Sequence, residues 1–250
     1  MNFSTLWRHF MLAAQFLTVV RVRVADPVTN DEMRSSAWFF PVVGLALGVA
    51  LAATGWALGC VLPWPVVAAL LVVELAVLTG ALHLDGLADT CDGFYAGRER
   101  DDVLRIMKDP HIGTMGVVGL ICVLGLKAVS LMNVPMGRGL WVAAAAPVVG
   151  RSVVVIACAL GCYAREEGTG KTYIGRLSHE QAWVALVMAV LGCAMLRQLI
   201  SATLAFVLAG IWLVFFLRYC NRRIGGLTGD TVGALNETTE LIVWLAASCQ

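Results

Sequence analysis

A chain of 250 residues that is 59% hydrophobic and only 14% charged, with a mean hydropathy of +0.80, is not a soluble globular domain, because such domains carry roughly a quarter charged residues. A formal net charge of +1 likewise excludes nucleic acid or another polyanion as a partner attracted by global charge. The composition is that of an all-α, polytopic integral membrane helix bundle, expected to form one domain over residues 1–250. In chain order, residues 4–20 interleave Trp7, Phe10 and Leu17 with Arg8, His9 and Gln15, the pattern of an additional amphipathic helix at the membrane surface. Residues 22–36 are polar, with a turn at Asp26-Pro27 and Thr29 or Asn30 as a helix cap. About seven transmembrane helices follow, at 38–62, 65–82, 114–134, 140–163, 181–199, 200–217 and, shorter, 235–248. The eight cysteines are scattered through apolar segments without metal-ligand spacing and read as small core residues.

Threading these spans up and down places residues 1–37, 83–113, 164–180 and 218–240 on one side of the membrane. These segments hold 14 of the 18 Lys and Arg and 16 of the 17 Asp and Glu. The positive-inside rule makes that side cytoplasmic, and the expected location is the cell membrane with the active site facing the cytoplasm. A cation transporter would place its carboxylates near mid-span, where this sequence has only Glu74, so polar chemistry gathered at one interface argues for an enzyme.

Two acidic clusters carry that chemistry. Asp85, Asp89 and Asp92 are spaced four and then three residues apart, so a helix projects all three from one face, where they repel unless a cation sits between them. Far away in sequence, Asp230 and Glu237 lie two helical turns apart, with Glu240 bordering the same face. Hard oxygen ligands of this kind suit Mg2+ or Mn2+ holding a diphosphate, and all six residues are candidate metal ligands. Gly226 and Gly229 precede the second cluster and offer backbone amides to phosphate oxygens.

Cations are needed against substrate phosphate. Lys108 and the mid-span Arg151 are the catalytic candidates beside Asp85 and Asp89, since a guanidinium within an apolar span is costly and is paired or functional. Arg98, Arg105 and Asp109 follow the first cluster as candidate substrate contacts, although exposed arginines on a cytoplasmic face also serve topology alone. Lys127 and Glu74 read as structural residues, snorkelling or paired with each other. Arg165 and Glu166 lie in a short glycine-containing loop at 163–178 that closes over a nucleotide, and His83, at the membrane boundary, reads as a buried supporting residue or a substrate contact.

The motifs FFPVVGLALG (39–48), GALHLDGLADTCDGF (80–94), IMKDPHIGTMG (106–116), YAREEGTG (163–170) and GGLTGDTVGALNETTE (225–240) together resemble the adenosylcobinamide-GDP ribazoletransferase, or cobalamin synthase, family. At Pro110 and His111 that family more often has serine then arginine, so no phosphate contact is assigned to position 111. The resemblance implies transfer of the cobinamide-phosphate moiety of adenosylcobinamide-GDP to alpha-ribazole or its 5'-phosphate, with release of GMP and a requirement for Mg2+. It implies those two small molecules as partners, in contact with membrane lipid, and leaves open a homo-oligomer or association with other enzymes of nucleotide-loop assembly. Two alternatives use similar residues: an intramembrane prenyltransferase or CDP-alcohol phosphotransferase, and a cation transporter. The opening D-x-x-D-G-x-x-A-R order of the CDP-alcohol enzymes is absent from this chain.

Overall fold

The computed structural model describes residues 3–22, 24 and 27–249. Its helices are α1 (Phe3–Leu17), α2 (Asn30–Ser36), α3 (Phe40–Leu58), α4 (Trp64–Leu78), α5 (Leu82–Ala96), α6 (Arg100–Ile106), α7 (Thr114–Met132), α8 (Met136–Leu160), α9 (His179–Ala194), α10 (Leu199–Ile224) and α11 (Gly229–Ser248). The bundle is all-helical among the described residues, and it carries several helices able to cross a membrane, so the chain is a multi-pass membrane protein.

Among the described residues, fewer helices than the expected seven are long and apolar enough to cross a membrane by themselves. Four helices among the described residues meet that condition: α2 continued through α3, then α7, α8 and α10. A fifth is formed if α4 and α5 count as one span broken by a 91° bend. The bend has a local cause: Gly80 and Ala81 both adopt left-handed backbone, with φ of 59° and 56°, a conformation that ends one helix and redirects the next. The expected span at 181–199 shortens to the 16 residues of α9, whereas that at 235–248 lies inside α11, whose 20 residues begin at Gly229 with polar first turns. At the expected junction near Arg197 the chain indeed turns, with Arg197 at φ 56°.

α8 runs through the centre, packed on α3, α9 and α11, and its small residues permit close approach. Gly44 and Gly48 of α3 lie directly against the α8 backbone at Pro147 and Ala144, where a Cβ would collide. Around this axis lies one continuous apolar core. α1 is amphipathic as expected, with Leu12, Ala13 and Leu17 buried and Phe3 and Trp7 exposed. Thr29 caps α2 through a reciprocal capping box with Glu32, whereas Asp26 of the expected turn lies outside the described residues.

The polar segments meet at one end of the bundle. Arg100 donates to the carbonyls of Ile224 at 3.0 Å and Ala164 at 2.7 Å, and Arg223 donates to Phe94, Gly97 and Arg98. Tyr163 and Leu227 form an isolated bridge, and the Gln181 side chain reaches the Arg34 carbonyl at 2.9 Å. Four stretches separated by up to about two hundred residues of sequence thus assemble one charged cap over the apolar bundle.

Candidate active site

α5 and α11 carry the two acidic clusters, and they touch backbone to backbone. A Cβ on Gly86 would lie 2.7 Å from the Asp230 carbonyl oxygen and 2.9 Å from its Cα, and one on Gly233 would meet the His83 backbone at 3.2 Å. Only glycine permits this approach, which sets the α5 aspartates beside the first turn of α11. That turn is held by Thr228, whose hydroxyl accepts from the Thr231 amide while its own amide donates to the Thr231 hydroxyl.

A cavity of about 260 Å³ opens at this contact. Its polar side is formed by His83, Asp85, Gly86, Gly229, Asp230 and Thr169, and its apolar side by residues that include Phe16, Phe40 and Tyr173. The three aromatic rings form a cluster with centroids 5.3 to 5.8 Å apart, Phe16 stacked on Phe40 and Tyr173 tilted against both. They come from α1, α3 and the 163–178 loop, and no local sequence pattern announces that they share a wall. Burial pushes the Tyr173 phenol up to about 12, so it stays neutral at any working pH.

Asp85 is exposed at the cavity and Asp89 is half-buried beside it. Asp89 feels the charges of Asp230, Asp85 and Asp92 and, opposing them, that of Arg165. Arg165 is ion-paired with Asp230 at 2.8 Å. Burial raises the Asp230 carboxyl above its usual range, and Arg165 partly offsets that effect. Three carboxylates therefore face one guanidinium, a surplus of negative charge with oxygen donors only.

Asp92 departs from the expected triad. Its two carboxylate oxygens accept from the backbone amides of Gly113 at 2.7 Å and Gly116 at 2.8 Å, so it caps the N-terminus of α7. Glu237 and Glu240 depart further, because both are buried in the bundle and bound by cations. Lys127 Nζ lies 2.5 Å from Glu237 and 2.6 Å from Glu240, Arg151 pairs with the other Glu240 oxygen, and Asn236 donates to both glutamates at 3.2 Å. The Arg151 guanidinium also lies 3.5 Å from His83 Nδ1. Two cations and two anions cancel in this cluster. Arg151, expected as a phosphate ligand, and Glu237 and Glu240, expected as metal ligands, stand with Lys127 in a neutral network that joins α5, α7, α8 and α11. Lys127 is its hub, and Glu74, its expected partner, bonds Thr54 at 2.9 Å instead.

The remaining candidates do not line the cavity. Lys108 and Arg98 are exposed, Arg105 pairs with Asp102 at 3.1 Å, and Asp109 accepts from the His111 amide at 2.9 Å, which holds its carboxyl below the usual range. The Glu166 side chain is exposed and its carbonyl accepts from Lys171. Gly226 serves packing, since a Cβ there would strike the Cys162 carbonyl, whereas Gly229 does line the cavity.

Comparison with known proteins agrees with the motif pattern. The sequence model of the family described as cobalamin-5-phosphate synthase matches residues 9–248. An adenosylcobinamide-GDP ribazoletransferase of Syntrophobacter fumaroxidans is 36% identical over 247 residues, covering 98% of this chain and 99% of that relative. Proteins of the same name from a Roseiflexus species and from Pseudomonas entomophila are 40% and 39% identical, over 92% and 94% of this chain and 85% and 96% of their own lengths. No solved structure matches the chain.

Proposed function

The chain belongs to the cobalamin-5-phosphate synthase family, and from that membership we propose that it is an adenosylcobinamide-GDP ribazoletransferase. The observation that carries the reading is the cavity in which Asp85 and Asp230, from helices far apart in sequence, stand at the charged end of a membrane bundle. In the reaction a ribose hydroxyl of alpha-ribazole, or of its 5'-phosphate, bonds to the corrinoid-side phosphorus of adenosylcobinamide-GDP. The bond to the bridging oxygen breaks, GMP departs with that oxygen, and the hydroxyl proton passes to a carboxylate or to solvent.

The donor set fits Mg2+. Asp85, Asp89 and Asp230 supply hard oxygens with one guanidinium as countercharge. Among the described residues no three such side chains are grouped closely enough to hold an ion, so water and substrate phosphate would have to complete its shell. When bound there, Mg2+ supplies charge neutralisation for a diphosphate. Arg165, fixed in place by Asp230, faces the same mouth and neutralises phosphate oxygens as charge develops on them. Gly229, Gly170 and Thr169 leave room and backbone amides for the diphosphate. Phe16, Phe40 and Tyr173 exclude water behind the reacting groups. The charged cap faces the cytoplasm, by the positive-inside distribution of Lys and Arg, so that soluble nucleotides reach it.

Cation transport is disfavoured by a specific feature: Glu237 and Glu240, the carboxylates deepest in the bundle, are fully compensated by Lys127 and Arg151. The test of the proposed reaction uses protein purified in nanodiscs with adenosylcobinamide-GDP, alpha-ribazole and Mg2+. GMP and a cobalamin product are expected, with loss of both on chelation by EDTA. No product under conditions where one of the named relatives turns over defeats the assignment.

A further inference from the structure

The loop that walls the cavity has a second face. In its one-turn 3-10 segment Thr169–Thr172, Thr169 and Gly170 line the cavity described above, with Tyr173 just beyond. Gly168, Lys171 and Thr172 instead line a separate pocket of about 350 Å³, completed by Asn30 and Arg34 of α2 and by Arg176. Three cationic side chains meet there, and no carboxylate lines the pocket.

Their charge is only partly used within the protein. Arg34 pairs with Asp31 at 2.9 Å, but that carboxylate is 85% exposed and the pair is correspondingly weak. The Arg34 Nε is buried and has no hydrogen-bond partner among the described residues. Lys171 donates to a neutral acceptor, the Glu166 carbonyl, at 2.5 Å. Arg176 enters no ion pair among the described residues. Gathering like charges around a hollow is unfavourable unless an anion relieves the repulsion, and an oxyanion with several acceptor oxygens does so with charge-assisted hydrogen bonds. The volume is several times the roughly 30 Å³ that one water occupies in the liquid, which leaves space for a phosphate and part of its hydration shell.

We infer that this pocket holds a phosphate monoester and, resting on the transferase reading above, that the group is the 5'-phosphate of the ribosyl nucleophile, whose hydroxyl faces Asp85 and Asp230 in the adjoining cavity. The two phosphate-bearing substrates are sorted by chemistry. The donor's diphosphate goes to the acidic mouth, where a cation must mediate, and the monoester goes to the carboxylate-free pocket, where arginine and lysine bind it directly. The single turn of 169–172 is the partition between them.

The test compares alpha-ribazole with its 5'-phosphate as nucleophile in nanodiscs of phosphatidylcholine. Arg176→Gln and Lys171→Gln, both at exposed positions, are each expected to lower kcat/KM for the phosphorylated nucleophile by about tenfold or more, mostly through KM. The ratio of kcat/KM values, phosphorylated over free, should fall by the same factor. Inorganic phosphate should compete with the phosphorylated nucleophile, and less well in either variant. Equal losses for both nucleophiles, or none for either, overturn the inference. So does a dependence on added phosphatidic acid that both variants abolish for both nucleophiles, because it puts a lipid headgroup in the pocket. If the unaltered protein turns over neither nucleophile, the transferase reading fails, and the anion site is then decided by direct calorimetric binding of inorganic phosphate. Binding weakened by Arg176→Gln keeps the site, and absence of binding removes it.

Discussion

The guanidinium of Arg151 in α8 is ion-paired with the carboxylate of Glu240 in α11, and neither side chain is exposed to any solvent. Lys127 and Glu237 complete a neutral cluster, so each charge depends on the others. Removing one partner leaves a buried charge unpaired, and Glu240→Gln is expected to lower stability by about 3 to 5 kcal/mol. Replacing both members, Arg151→Met with Glu240→Met, should lower it by less than the sum of the single changes. Thermal unfolding in detergent, followed by tryptophan fluorescence, measures both. A Glu240→Gln protein as stable as the parent would show that the pair contributes nothing to folding.

Asp85 lines the cavity and is exposed, and Asp89, one helical turn further on, is half-buried, and neither enters an ion pair among the described residues, so the fold does not depend on their charge. Asp85→Asn and Asp89→Asn should each reduce GMP release by at least about a hundredfold, the scale of losing one electrostatic contact to a reacting group. Unfolding temperature should stay where it is. Full activity in either variant removes the proposed Mg2+ site.

Asp92 is different in kind although it shares their helix. Its oxygens hold the first amides of α7, and Asp92→Ala is expected to destabilise the protein by about 1 to 2 kcal/mol, as loss of a helix cap does. The Mg2+ concentration giving half-maximal activity should not move. A shift in that concentration with unchanged stability would return Asp92 to the metal site.

Gly86 lies against backbone atoms of Asp230, which cannot rotate away as a side chain would. Gly86→Ala therefore forces α5 and α11 apart. Overpacking of this kind costs about 1 to 3 kcal/mol. Because the same movement separates Asp85 and Asp89 from Asp230, activity should fall more steeply than stability. Steady-state rates measured well below the unfolding temperature separate the two effects, and an unchanged rate would mean that the spacing of these helices does not matter for catalysis.

Much of this protein is legible without coordinates because the bilayer simplifies the problem. Long apolar runs must become helices, since unpaired backbone polar groups are intolerable in hydrocarbon, and charges left over must collect at an interface. That logic locates the charged cap and, within it, Asp85, Asp89 and Asp230. Its limit shows at Asp92, Glu237 and Glu240. Helical spacing places them on the same faces as their neighbours, but spacing is silent about what lies opposite.

Only the tertiary structure decides that question. It swings α5 out of line at Gly80 and Ala81, so that the acidic stretch following the span becomes a wall of the cavity. It brings Lys127 and Arg151 from α7 and α8 to Glu237 and Glu240, turning expected metal ligands into a structural cluster. It also sets Arg34 beside Lys171 and Arg176 across more than a hundred residues of sequence. The sequence by itself determined the membrane class and the gathering of charged residues at one end of the bundle, because these follow from local composition and periodicity. Which carboxylate meets an ion and which meets a cation of the protein was decided by the packing of helices distant in the chain, because an ion pair is set by proximity in space.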